Sequence, residues 1–317
     1  MNLFKRIVTS VRYPESAFGK TFQRIIPIIL LVLILLLSFS GFAIYRIVYP
    51  GRLPETIDPS SFLLRNFQTL SFKGSGQQSI EGWFIPSVRG APVVFLCHGY
   101  LSSRSELLTL ASTFQENGYN LFLFDFRAHG TSSLSPSTLG RRETEDLLGA
   151  IQMVSERSDV NPNRVGLWGV SLGAWVALSA ATRSSRVKTV VVDSPFDSPG
   201  SFVEMQTSSL FGVNNILINK MARFGLFLLN FPQRTDSAKL VKDLAELNGP
   251  DKLFITNEEA PRLESQTLYL FNHTAEPKEL LRMKKSKTSI LYDVDRKNYE
   301  NSVVDFFRKH LPIRTAK

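Results

Sequence analysis

The pentapeptide Gly169-Val170-Ser171-Leu172-Gly173 stands directly after the apolar run Val165-Gly166-Leu167-Trp168 and directly before Trp175-Val176-Ala177-Leu178. A G-x-S-x-G stretch between two apolar runs predicts a strand, a sharp turn and a helix, the context of a nucleophile elbow. A serine on such a turn has its hydroxyl pushed above the sheet. Strand and helix can then approach only where the flanking positions carry no side chain. Gly169 and Gly173 meet that need.

Around this pentapeptide, short apolar runs alternate with helix-length amphipathic segments. Residues 67–72 and 80–85 read as strands of an edge hairpin joined through Gly74-Ser75-Gly76. Strands follow at 92–97, 120–125, 164–168, 187–192, 252–256 and 279–283, with helices at 105–117, 141–156, 172–182, 263–273 and 299–310. Continuous apolar strands separated by helices predict a mainly parallel sheet covered on both faces. The interval from Phe196 to Pro250 is too long for a simple crossover and too apolar for disorder. It fits a cap of two or three helices, at about 197–250.

Residues 25–44 carry no charge and are dense in Leu and Ile, long enough to cross about 30 Å of hydrocarbon. We read 25–46 as a transmembrane anchor, 1–24 as a basic leader and 47–66, with Pro50, Gly51, Pro54 and Pro59, as a spacer. Lys5, Arg6, Arg12, Lys20 and Arg24 precede the run against one acid, Glu15, whereas charges after it balance. The positive-inside bias predicts a cytoplasmic N-terminus and an extracytoplasmic main domain. The competing reading is a cleaved signal peptide, for which Gly41-Phe42-Ala43 supplies small residues at a cleavage site.

The formal charge of +9 raises nucleic acid as a partner. No stripe of Lys and Arg interleaved with aromatics supports it, and Lys284-Lys285-Ser286-Lys287 reads as a solvated loop. The single cysteine, Cys97, excludes an internal disulfide and ends an apolar strand, as a buried packing residue would. No P-loop, dinucleotide fingerprint or metal-ligand spacing is present, so no cofactor is implied. The expected partners are the membrane, through residues 25–44, and a small-molecule or peptide substrate or ligand.

Several further motifs occur in order along residues 67–312. They are Phe95-Leu96-Cys97-His98-Gly99-Tyr100, Asp125-Phe126-Arg127-Ala128-His129-Gly130, Thr138-Leu139-Gly140 with Glu143 and Asp146, and Asp193-Ser194-Pro195-Phe196. Together with the elbow they resemble the α/β-hydrolase superfamily, in its serine aminopeptidase-like and dienelactone-hydrolase-like branches, with Ala128 replacing a glycine. The resemblance implies an α/β-hydrolase fold with a helical cap insertion, here preceded by one transmembrane helix. It makes Ser171 the nucleophile and assigns the oxyanion hole to the backbone N–H groups of Leu172 and Tyr100.

The rest of the family's catalytic triad is degraded. The fold's histidine belongs on the loop after the last strand. There the family pattern aligns with Thr288, and if the last strand is instead 288–292, the loop 293–298 holds no histidine either. Of the four histidines, His98 and His129 fall in the turns after the third and fourth strands, and His273 and His310 at helix ends; all read as structural. The family's acid position aligns with Ala260, leaving Glu259 and Asp193 as substitute acid candidates. Two readings follow: a membrane-anchored serine hydrolase acting on an ester or peptide with an unconventional base, or a pseudo-hydrolase that binds a lipid, peptide or protein partner.

Overall fold

The computed structural model describes residues 17–52, 57–64, 66–133, 135–229, 237–288 and 291–313. The first part of the basic leader, residues 1–16, and residues 53–56 of the spacer therefore lie outside the described residues. Among the described residues an eight-stranded sheet has the order β1-β2-β4-β3-β5-β6-β7-β8. Its strands are β1 (Gln68–Lys73), β2 (Ser79–Ile85), β3 (Val93–Cys97), β4 (Asn120–Phe124), β5 (Val165–Val170), β6 (Val187–Asp193), β7 (Asp251–Asn257) and β8 (Lys278–Met283). The β1–β2 and β2–β4 pairings are antiparallel and every other pairing is parallel.

The helices are α1 (Ala17–Val48), α2 (Leu108–Glu116), α3 (Arg141–Ser155), α4 (Leu172–Ala181), α5 (Pro199–Phe211), α6 (Ile216–Leu229), α7 (Ser237–Ala245), α8 (Pro261–Asn272) and α9 (Asp293–His310). Alternate strand residues serve opposite faces. Val94, Leu96, Leu121 and Leu123 share one buried cluster with α2 and α9, through Leu108, Phe114, Val303 and Phe307. On the other face Phe95, Phe122, Phe124 and Phe72 stack edge to face or tilted. Strands this apolar on both faces must be covered on both, which the alternating helices accomplish.

Two boundaries differ from the sequence reading, and one of its two alternatives for the last strand falls away. The last helix starts at Asp293, six residues early, because Asp293 and Asp295 supply acids to its first turn, where the helix dipole favours them. The last strand is β8; the alternative at 288–292 is not one, since Thr288 lies in a turn and 291–292 are irregular, while 289–290 fall outside the described residues. The spacer is partly ordered: α1 runs to Val48, and a short 3₁₀ helix at Pro59–Phe62 is capped by Asp58, which accepts the Ser60 N–H at 2.9 Å.

By internal contact the chain forms two compact units. One combines Met1–Ile47 with Val203–Arg234, the other Val48–Phe202 with Thr235–Lys317. The sheet and its helices make up the second. The first holds α1 and the cap helix α6, so the interval read as a single cap is divided between the units, α7 going with the sheet. Within α1, Arg24–Val48 is long and apolar enough to cross a membrane by length and composition.

Candidate functional site

Ser171 sits between the last residue of β5 and the first of α4 with φ 51° and ψ −110°. A side chain in the left-handed region costs of the order of 1–3 kcal/mol, so surrounding structure must impose it. Two main-chain hydrogen bonds do so: the Ser171 N–H donates to the Asp193 carbonyl at 2.9 Å and its carbonyl accepts the Trp175 N–H at 3.1 Å. The flanking glycines are required by space. A Cβ on Gly169 would lie 2.3 Å from the Gly173 carbonyl oxygen, and one on Gly173 would lie 2.2 Å from that of Cys97. The end of β3, the end of β5 and the start of α4 thus meet at backbone contact, at the carboxyl edge where open parallel sheets form their clefts.

Leu172 opens α4, where the first N–H groups have no partner inside the helix. Tyr100 follows the His98-Gly99 turn, and a Cβ on Gly99 would fall 3.9 Å from that of Ser171, so this turn lies beside the serine. The Tyr100 ring packs edge-on against Phe202 at 5.1 Å and His129 at 5.5 Å.

The four histidines are committed elsewhere to different degrees. His98 donates through Nδ1 to the Gly99 carbonyl at 2.7 Å and accepts the Phe126 N–H on Nε2 at 2.9 Å, so both nitrogens brace adjoining turns. Burial lowers its pKa. His129 donates from Nδ1 to the Arg127 carbonyl at 2.9 Å, while its Nε2 is buried without a partner. Burial pushes His129 down to about 3, making it a weak proton acceptor at neutral pH. His273 is exposed at the end of α8, bonded to the Tyr269 carbonyl. His310, in the last turn of α9, faces Asp251 at 3.2 Å and Glu279 at 3.3 Å.

The loop after β8, where the sequence reading looked for a base, carries hydroxyls among the described residues. Thr288 Oγ1 accepts the Asn257 side-chain amide at 2.9 Å and lies 3.1 Å from Ser286 Oγ. Ser194 Oγ stands 3.5 Å from Thr288 Oγ1. Asp193 is fully buried and accepts three bonds: from Ser286 Oγ at 2.7 Å, Ser194 Oγ at 2.8 Å and the Lys287 N–H at 2.8 Å. Burial raises its pKa and those donors oppose the rise. Lys287 directs Nζ to the Glu106 carbonyl at 3.2 Å, its ammonium pKa lowered by burial.

The two acid candidates therefore part company. Asp193 is brought to the Thr288 loop, with its oxygens held by serines and a main-chain N–H. Glu259 is exposed on the turn after β7, where its N–H donates to Asn257 Oδ1 at 3.0 Å. Ala260 begins α8 as its N-cap. Sequence reasoning missed Asn257, Ser286 and Ser194 as a group. Each ends a strand or follows one at the same sheet edge, a signal available once the strand order is known. Among the described residues no group of three His, Cys, Asp or Glu could hold a metal ion.

The remaining family motifs are structural braces. Asp146 takes the Arg127 guanidinium through both oxygens, at 2.7 Å for the shortest contact, and the Ser75 N–H at 2.7 Å. Glu143 accepts the N–H groups of Thr138 and Gly140 and the hydroxyls of Ser137 and Thr138, closing the turn into α3.

A family model described as alpha/beta hydrolase fold matches residues 92–278. The Escherichia coli protein YfhR is 34% identical over 138 residues, covering 41% of this chain and 48% of that protein. The chain spans about half the length of the curated relatives it matches. Among solved structures, an esterase of Pyrococcus furiosus superposes with a TM-score of 0.63 at 19% identity, covering 84% of this chain and 98% of that one. A dienelactone hydrolase from Anabaena variabilis gives a TM-score of 0.54 at 15% identity, covering 78% of this chain and 100% of that one. At these identities the structural likeness shows the fold alone.

Proposed function

Because the chain belongs to the alpha/beta hydrolase fold family, we propose that it is a serine hydrolase of low turnover, acting on an ester or peptide bond with Ser171 as nucleophile. The observation that carries this reading is the strained elbow at Ser171, φ 51°, flanked by glycines that nothing larger can replace. Strained backbone of this kind collects at functional sites, and on a strand–turn–helix elbow it exposes the serine hydroxyl above the sheet. In this reading the Ser171 hydroxyl attacks a carbonyl carbon and gives up its proton to solvent water, while the carbonyl π pair moves onto oxygen and the Leu172 and Tyr100 N–H groups receive the developing oxyanion. Its rate rests on those donors and on positioning, because the family pattern aligns Thr288 with the usual imidazole. Losing a triad member typically leaves about 10³–10⁴-fold catalysis over water.

A second reading is favoured by one observation, the closed Asn257–Thr288–Ser286 network at the loop after β8. It makes the protein a pseudo-hydrolase that binds a lipid, peptide or protein partner without turnover. In both readings residues 25–44 anchor the chain in a membrane with the N-terminus cytoplasmic and the sheet domain outside, supported by the basic leader.

One experiment separates the two. The hydrolase reading expects a fluorophosphonate probe to label the wild-type protein and not Ser171→Ala. It also expects Thr288→His combined with Asn257→Asp to raise ester hydrolysis roughly a hundredfold, the contribution of a positioned general base. A folded wild-type protein that resists the probe, with a double variant that stays inert, establishes the pseudo-hydrolase.

A further inference from the structure

The helical unit that holds α1 and α6 carries an exposed apolar face. On α6, Ile216, Leu217, Phe224, Phe227 and Leu228 are each 45–74% exposed. Their spacing of three, four and seven residues puts them on one side of the helix, whereas Asn219, Ala222 and Gly225 on the opposite side are buried. That arrangement is inverted for a helix facing water, which turns its polar stripe outward. Lys220 is exposed within the same apolar arc, and α6 carries no acidic residue.

The position of α6 along α1 identifies what covers this face. A Cβ on Gly225 would lie 2.6 Å from the Ser40 carbonyl oxygen and 3.3 Å from Ile44 Cγ2. The small residue lets the two backbones touch, as at helix crossings within bilayers. Phe211 at the end of α5 packs on Phe39 at 5.0 Å, and Arg223 is tied to Glu204 of α5 at 2.9 Å. Ser40 lies four residues before the end of the uncharged run at Ile44, or about 6 Å at 1.5 Å per residue. A helix fixed at that level reaches inside the apolar zone if α1 spans it, within the ~5–10 Å depth at which amphipathic helices rest.

We propose that α6 is a membrane-embedded cap helix, its Ile216–Phe224–Leu228 face lying in the headgroup–acyl boundary of a lipid bilayer and Lys220 extending to lipid phosphate. The inference rests on α1 spanning the membrane and goes beyond either reading of Ser171. A long basic side chain within an apolar arc suits this site, because its stem stays in lipid while its ammonium reaches the anionic surface.

The test uses the full chain in vesicles of phosphatidylcholine and phosphatidylglycerol. Cys97 is fully buried, so a single introduced cysteine can be labelled with an environment-sensitive dye. The proposal expects dyes at Leu217→Cys and Phe224→Cys to emit to the blue and to lose about half their intensity to shallow spin-labelled lipid, as befits that boundary depth. A dye at Leu33→Cys should be quenched by deep spin label, and one at Glu116→Cys only by aqueous iodide. If positions 217 and 224 respond to iodide while 33 stays in lipid, the cap is solvated and the proposal is overturned. Shielding of 217 and 224 from both quenchers means that protein, such as a second copy, covers the face, which also overturns it. A position 33 that responds to iodide removes the spanning helix itself, a failure separate from that of the cap.

Discussion

Ser171 and Thr288 embody opposite pressures at single positions. One residue is held in a costly backbone conformation at the turn between β5 and α4. The other is an uncharged residue bonded to an amide on the loop after β8. His129 is a third position with a measurable signature. Burial holds its pKa near 3, against 6.5 for the open side chain. The unfolded chain therefore takes up this proton first as pH falls, and stability present above about pH 6.5 drains away toward pH 3. At pH 5 the loss from His129 is about 2 kcal/mol. Urea titrations at pH 7 and pH 5 should show a smaller difference for His129→Gln than for wild type by about that amount. His98 is shifted in the same direction, so the variant's slope stays positive.

Among the elements, the β5–elbow–α4 unit has the least tolerance. Gly169→Ala would drive a Cβ to within 2.3 Å of the Gly173 carbonyl oxygen and 2.7 Å of the Ala174 nitrogen, both backbone atoms. We expect a destabilisation of about 3 kcal/mol or more, read as a fall in thermal midpoint. Gly249→Ala, which meets nothing within 4 Å, should change stability by less than about 0.5 kcal/mol. The elbow, the parallel strands and most helices were legible because each declares itself locally, through glycine spacing, apolar runs and amphipathic period. The start of α9 was not, because residues 293–298 are polar, and their helical state follows from end charges and from the packing of Tyr299 and Val303 farther along. The acid candidates were equally ambiguous: Asp193 and Glu259 both follow or end a strand, and only the fold buries one and exposes the other.

At the scale of the whole molecule, an uncleaved anchor predicts that the full-length protein stays with the membrane pellet after a carbonate wash. A shortened soluble species would indicate signal cleavage instead. The fold family, the strand–turn–helix at Ser171 and the apolar N-terminal run could be read from residue type and spacing along the chain alone. Folding in three dimensions is what brings Thr288 to Asn257, gives Asp193 two serine hydroxyls and the Lys287 N–H, and divides residues 197–250 between two units. Those pairings join residues far apart in sequence, and the strand order and helix crossings that bring them together have no local signal.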